Sequence, residues 1–210
     1  GFTFTSSEFL TFVKAEPSLI SAAFPGQYGT YEGFLFPATY TFERDATAVS
    51  IANQMVSKFL ENLPGEFSTR CQQNGLSFHQ CVTLASIVEK ESMITAEQPL
   101  IASVFYNRLA VGMKMESDPT VQYALGSLSE NSGYWKNPLT TSDLSVNSEY
   151  NTYLYPGIPP SPISNPGISA IQAVIYPETS GYYYFRAKCD NSGAHNFAVS
   201  FQEHLMNACP

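Results

Sequence analysis

Residues Leu84–Met93 read LASIVEKESM. On a helix at about 100° per residue, Leu84, Ile87 and Val88 form one apolar stripe. Glu91 follows them by seven, four and three residues, so it falls on that stripe. Glu89 falls on the far side, where solvent is expected. Facing a core disfavours the charged form of a carboxyl group and raises its pKa. A carboxylic acid still protonated near neutral pH is what a general acid needs to protonate a leaving oxygen. A plainer reading stays open, in which Glu91 ends the helix in an ion pair, for example with Arg108. A conventional glycosidase also needs a second carboxylate across its cleft. Glu97, Glu116, Asp118, Asp143 and Glu149 are the candidates, and none stands in a readable relation to Glu91.

Working outward, the pattern predicts a helix over Ser77–Met93 with Ser77 as N-cap, and another over Pro99–Val111 ended by Gly112. Amphipathic helices are expected at Ser6–Lys14 and Ala46–Leu63, the second closed by Leu63-Pro64-Gly65. Between them Tyr31–Phe42, with Pro37 in its middle, reads as an ordered loop or edge strand. Asp118 reads as the cap of a helix with Pro119 at its first position. Residues Ser127–Asn165, rich in Ser, Asn, Tyr, Gly and Pro, read as a long ordered loop, a length usually tied to function. Asn165 then caps a helix opened by Pro166. Tyr182–Arg186 reads as a strand, Gly193–Phe197 as a turn and short strand, and Phe201–Asn207 as a last helix. The expected class is α+β: a helical core around Glu91, a small sheet, and one domain over residues 1–210.

Composition narrows the partners. The chain has 210 residues, 44% hydrophobic, 14% aromatic and only 13% charged, against about 25% charged in ordinary domains. Disorder is excluded, because disordered chains are charge-rich and aromatic-poor. A Tyr-rich, charge-poor surface suits a ligand of many hydroxyls and amides, such as a sugar polymer. Ten basic residues against 18 acidic ones give a net charge of −8, which argues against nucleic acid and against a charge-driven membrane contact. No apolar run approaches the roughly 18 residues of a membrane span.

The four cysteines, Cys71, Cys81, Cys189 and Cys209, allow three pairings. The local pairs Cys71–Cys81 and Cys189–Cys209 are favoured and imply an oxidising, extracytoplasmic compartment; four buried free thiols are the alternative. No CxxC, HExxH or GxSxG motif is present, so neither a metal nor a cofactor is expected.

Several blocks together resemble the MltG (YceG-like) endolytic murein transglycosylases. In order, they are EGFLFPATY (Glu32–Tyr40), ASIVEKES (Ala85–Ser92), ASVFYNRL (Ala102–Leu109), SDPTVQYALG (Ser117–Gly126), YNTYLYPGIPPSPISNPG (Tyr150–Gly167) and GAHNF (Gly193–Phe197). The resemblance covers roughly residues 32 to 205. It implies cleavage of peptidoglycan glycan strands between N-acetylmuramic acid and N-acetylglucosamine, within the strand and without water, leaving 1,6-anhydro-muramyl ends. The family's catalytic glutamate falls on Glu91, in agreement with the helical face. One glutamate suffices as acid and then base if the muramyl 6-hydroxyl is the nucleophile. The family usually carries an N-terminal membrane helix and a small LysM-like subdomain, so the expectation is a catalytic portion alone. The full-length protein is then expected to be anchored in the cytoplasmic membrane and to work in the cell envelope, with peptidoglycan and cell-wall synthesis proteins as partners.

The remaining blocks supply the expected sugar cleft. Asn107 and Arg108 follow the apolar face of their helix, Arg108 having an ion pair with Asp118 as its alternative. Asp118, Thr120 and Tyr123 come from the DPT block, where pure helix capping is the alternative for Asp118. Tyr150, Asn151 and Tyr153 lie in the polar loop, with Asn165 at its end and His195 in the last block. His79 and His204 have no motif support and read as solvent or helix-cap residues. Two competing functions are a muramidase that uses water and a peptidoglycan-binding module without activity.

Overall fold

The computed structural model describes residues 2, 4–128 and 135–209, so residues 129–134 of the expected loop lie outside the described residues. The chain is an α+β fold built around helix α5 (Phe78–Glu91). Its start is closed by a capping box in which the Gln80 N–H donates to the Ser77 hydroxyl and the Ser77 N–H donates to the Gln80 side chain. Cys81 through Val88 are all buried. The stripe drawn from Leu84, Ile87 and Val88 is thus one side of a helix buried all round over these residues, the polar Thr83 and Ser86 included. Helices α6 (Gln98–Ala110) and α8 (Ile168–Ile175) pack along α5, with α4 (Phe67–Gln73) and α7 (Asp118–Leu128) also against it. Helices α1 (Ser6–Val13) and α2 (Ser18–Ala23) pack on α3 (Ala48–Asn62). The short α2 and α4 have no counterpart in the periodicity reading. They bury only Ile20, and Phe67 with Cys71, respectively, too few positions to establish a period.

Much of the aromatic content goes inward. Phe34, Phe59, Phe67 and Phe105 are at most 1% exposed, and Phe78 stacks on Phe24 with centroids 3.9 Å apart. Each buried ring contributes about 1.5–3 kcal/mol, so these phenylalanines serve the core rather than a sugar-facing surface.

The sheet is one antiparallel hairpin, β1 (Tyr184–Ala187) with β2 (His195–Ala198), in register Tyr184↔Ala198 to Ala187↔His195. Helix α9 (Phe201–Met206) follows and packs on both strands. Cys71 in α4 is bonded to Cys81 in α5, and Cys189, just after β1, is bonded to Cys209, just after α9.

Two helix starts differ from expectation. Helix α8 begins at Ile168 with Gly167 as its N-cap, not at Asn165. The Asn165 carboxamide instead accepts the N–H groups of Gly33 (2.9 Å) and Leu35 (3.0 Å). Two long-range backbone donors have claimed the side chain that a local reading assigns to capping. Gly33 has φ +91°, and a Cβ there would lie 2.4 Å from Cγ of Pro162. The Glu32–Tyr40 block and the Pro-rich end of the long loop therefore meet backbone to ring. Helix α7 already includes Asp118, so Ser117, not Asp118, precedes its first turn.

Candidate active site

The C-terminal end of α5 opens into a cleft of about 450 Å³. Its lining comes from Glu91, from Arg108 in α6, from Met115, Glu116 and Asp118 at the start of α7, from Tyr153 in the long loop, and from the hairpin with α9. Glu91 is partly buried, and its Oε1 accepts a hydrogen bond of 2.5 Å from the Ser117 hydroxyl. Burial pushes the Glu91 carboxyl up to about 7, and the nearby Asp118 charge adds to the rise. The Ser117 hydrogen bond and the Arg108 charge oppose it, since both favour the ionised form. The group is thus held near its midpoint at neutral pH, able to give a proton and to take one back.

Ser117 is itself fixed. It is 2% exposed, its N–H donates to the Thr152 hydroxyl at 3.0 Å, and its carbonyl accepts from the Thr120 hydroxyl at 2.6 Å. Thr120 and Thr152 share a further hydrogen bond of 2.8 Å. Thr120 is therefore a buried support for Ser117. Glu116, with φ 49°, turns the chain just before Ser117.

Arg108, 6% exposed, donates from Nε to the Tyr183 carbonyl and from Nη1 to the carbonyls of Lys114 and Met115. Its ion pair, at 3.4 Å, is with Glu116 rather than with Asp118 or Glu91. The Asp118 carboxylate instead accepts from the Tyr153 hydroxyl at 2.6 Å. Burial, and then this carboxylate, push the Tyr153 hydroxyl well above the ordinary tyrosine range, so it stays a donor. His195 lines the cleft with its Nδ1 2.7 Å from Glu97 Oε2, and its N–H donates to Glu97 Oε1. Of the carboxylates weighed as a second acid in the sequence, Glu116 and Asp118 line the same cleft as Glu91.

Other candidates fall elsewhere. The Asn107 amide donates to the carbonyls of Ser180 and Tyr182 and does not line this cleft. Asn151 is fully buried, donating to the carbonyls of Leu144 and Val146, so it braces the long loop. Tyr150 bonds the Ser161 hydroxyl and sets its ring 4.9 Å from that of Tyr123. Tyr123 and Asn165 line a separate hollow with Glu32, Lys90 and Trp135. In each case an internal backbone or side-chain partner satisfies a polar group that sequence alone cannot tell from a ligand contact. Glu89 does not face open solvent: its carboxylate accepts the Gly167 N–H, the cap of α8, at 3.1 Å. His79 is likewise no solvent residue, since it packs on Tyr28 and Phe34 and burial lowers its pKa.

The sequence reading missed Tyr184, Arg186, Phe201 and His204 as cleft residues, and Ser117 as the hydrogen-bond partner of Glu91. Ser117 had a signal, being the first residue of the DPT block. The alternation of Tyr184 and Arg186 marks one strand face, though nothing local says what that face meets. Among the described residues no group of His, Cys, Asp and Glu is arranged to hold a metal ion. No helix among them is long and apolar enough to cross a membrane.

The YceG-like family model matches residues 4–209, and the chain belongs to that family. A Bacillus subtilis (strain 168) protein named endolytic murein transglycosylase is 36% identical over 173 residues, 82% of this chain and 46% of that one. A Streptococcus pneumoniae serotype 2 protein of the same name is 35% identical over 176 residues, 84% of this chain and 31% of that one. The chain thus spans about half the length of these relatives, or less. The crystal structure of a YceG-like protein from Listeria monocytogenes matches with a TM-score of 0.83 at 35% identity, covering 97% of this chain and 67% of that chain.

Proposed function

We propose that these residues form the catalytic domain of an endolytic murein lytic transglycosylase, with Glu91 as acid and then base. The observation that carries this is the Glu91 carboxyl held at about 7 in the cleft, on a chain whose relatives bear that name. Glu91 gives its proton to the glycosidic oxygen as the bond from that oxygen to the muramyl anomeric carbon breaks. The ionised Glu91 then takes the proton of the muramyl 6-hydroxyl as its oxygen bonds the same carbon. No water is consumed. A well-placed hydroxyl of the same sugar has an effective concentration of up to about 10⁵–10⁸ M, far above that of water, so ring closure prevails in an open groove. Ser117 holds the carboxyl in place, and Tyr153 with Asp118 keeps a donor and a negative charge beside it. Disulfides in both halves of the chain support work outside the cytoplasm. On this reading any membrane anchor lies outside the 210 residues.

Digestion of purified peptidoglycan in ¹⁸O-water tests the proposal. Unlabelled anhydro-muramyl ends, one water lighter than reducing ends, are expected, with the rate unchanged by chelator. Labelled reducing ends as the main product would make the protein a muramidase, with Glu116 or Asp118 as the water-activating base.

A further inference from the structure

The cleft is acidic around Glu91, yet its lining from the hairpin and α9 is basic and aromatic. Tyr184 and Arg186 alternate onto one face of β1. The Tyr184 ring lies 5.4 Å from that of His204, nearly parallel to it, and 5.8 Å from that of Phe201. The Arg108 guanidinium sits 5.2 Å from the centre of the Tyr184 ring, with its charge already answered by Glu116. Arg186 is different. It lines the cleft, and its side chain makes no hydrogen bond or ion pair among the described residues, in a chain where acids outnumber bases 18 to 10. His204 is unpartnered too: Nδ1 is buried without a hydrogen-bond partner. Burial, and then the charges of Arg186 and Arg108, lower the His204 pKa and keep the ring neutral. Glu116 opposes these charges, so the positive charge that favours an anion beside His204 is chiefly that of Arg186. The Cys189–Cys209 bond ties the end of β1 to the end of α9, so the two side chains are presented on a braced surface.

We infer that Arg186, with His204 beside it, forms a carboxylate-binding subsite that takes an acid group carried by the glycan strand. The chemistry fits the residue, because the planar guanidinium fork matches a carboxylate in a two-point hydrogen bond. The Tyr184 and Phe201 rings offer apolar faces to the atoms that carry the acid. This rests on the reading of the substrate as peptidoglycan. A strand can present the carboxylate in two ways: as the free lactyl group of a muramic residue stripped of peptide, or as an acid of the peptide attached there.

The test measures binding to the non-cleaving Glu91→Gln chain, with and without Arg186→Gln. The ligands are soluble tetrasaccharide strand fragments, either stripped or peptide-bearing, each with free carboxylates or with all carboxylates amidated. Arg186→Gln is expected to weaken a free-acid fragment about tenfold or more, a loss typical of one charge-assisted contact, and to leave its amidated form unchanged. The free-acid fragment that responds identifies the source of the carboxylate. Arg186→Lys should recover part of the loss, and an unchanged unfolding midpoint shows that the fold is kept. Equal effects on free and amidated fragments, or no effect on any, would overturn the subsite. Failure of the wild-type chain to cleave strands would instead overturn the functional reading, and these binding ratios stay readable in either case.

Discussion

Replacing Glu91 with Gln should stabilise the protein at alkaline pH while it abolishes turnover. The carboxyl is raised from its ordinary 4.5 to about 7 in the folded chain. The folded state therefore binds a proton more tightly than the unfolded state does. Stability is lost as pH rises from the unfolded value through the folded one, and the loss is complete above about pH 7. A rise of this size corresponds to about 3 kcal/mol, the cost of holding an ionised Glu91 in the cleft. Gln cannot ionise, so the variant avoids that cost. Urea unfolding of both chains across pH 4 to 8.5 measures it, because titrating groups remote from Glu91 cancel in the difference between them. The variant should match wild type within about 1 kcal/mol at pH 4 and exceed it by up to about 3 kcal/mol at pH 8. Its turnover should fall at least 10²–10⁴-fold, the usual worth of one proton transfer, with both transfers resting on this residue. A stability difference that does not change with pH, or a variant that still turns over, would refute the reasoning.

Three further outcomes follow from the same geometry. Ser117→Ala removes a hydrogen bond that favours ionised Glu91, so the alkaline limb of the kcat/KM profile should move upward by about one pH unit; a limb that stays put or moves down would count against Ser117 as a positioning residue. Gly33→Ala puts a methyl group 2.4 Å from Pro162 at φ +91° and should cost more than about 1–3 kcal/mol in thermal or urea unfolding; a neutral result would mean that the two loops are not held together there. Thiol titration of the unreduced, unfolded chain should find no free cysteine, and removing either bridge should cost about 2–4 kcal/mol; four titratable thiols would sink both pairings.

Much of the scaffold was written locally. The helix at Ser77–Met93 was legible because its capping serine and apolar spacing are short-range features that the backbone obeys wherever it sits. The helices at Ser6–Lys14, Ala46–Leu63 and Pro99–Val111, and the strand at Tyr182–Arg186, were legible for the same reason. Glu91 was legible because helical periodicity alone turns it inward, and the Glu-Lys-Glu-Ser block agreed. Partner choice was not legible. Asn165 looked like a cap and instead holds Gly33 and Leu35, and Arg108 chose Glu116 over Asp118. Thr120, Asn107 and Asn151 looked like ligand contacts and hold the frame. A polar side chain takes whichever donor or acceptor the fold brings within about 3 Å, and that distance is set by elements up to 132 residues away. The sequence by itself determined which segments coil, which carboxyl turns inward and which family the pattern resembles. Only the tertiary structure decided that Ser117 bonds it and that Arg186 and His204 share its cleft, because their meeting depends on packing rather than on period.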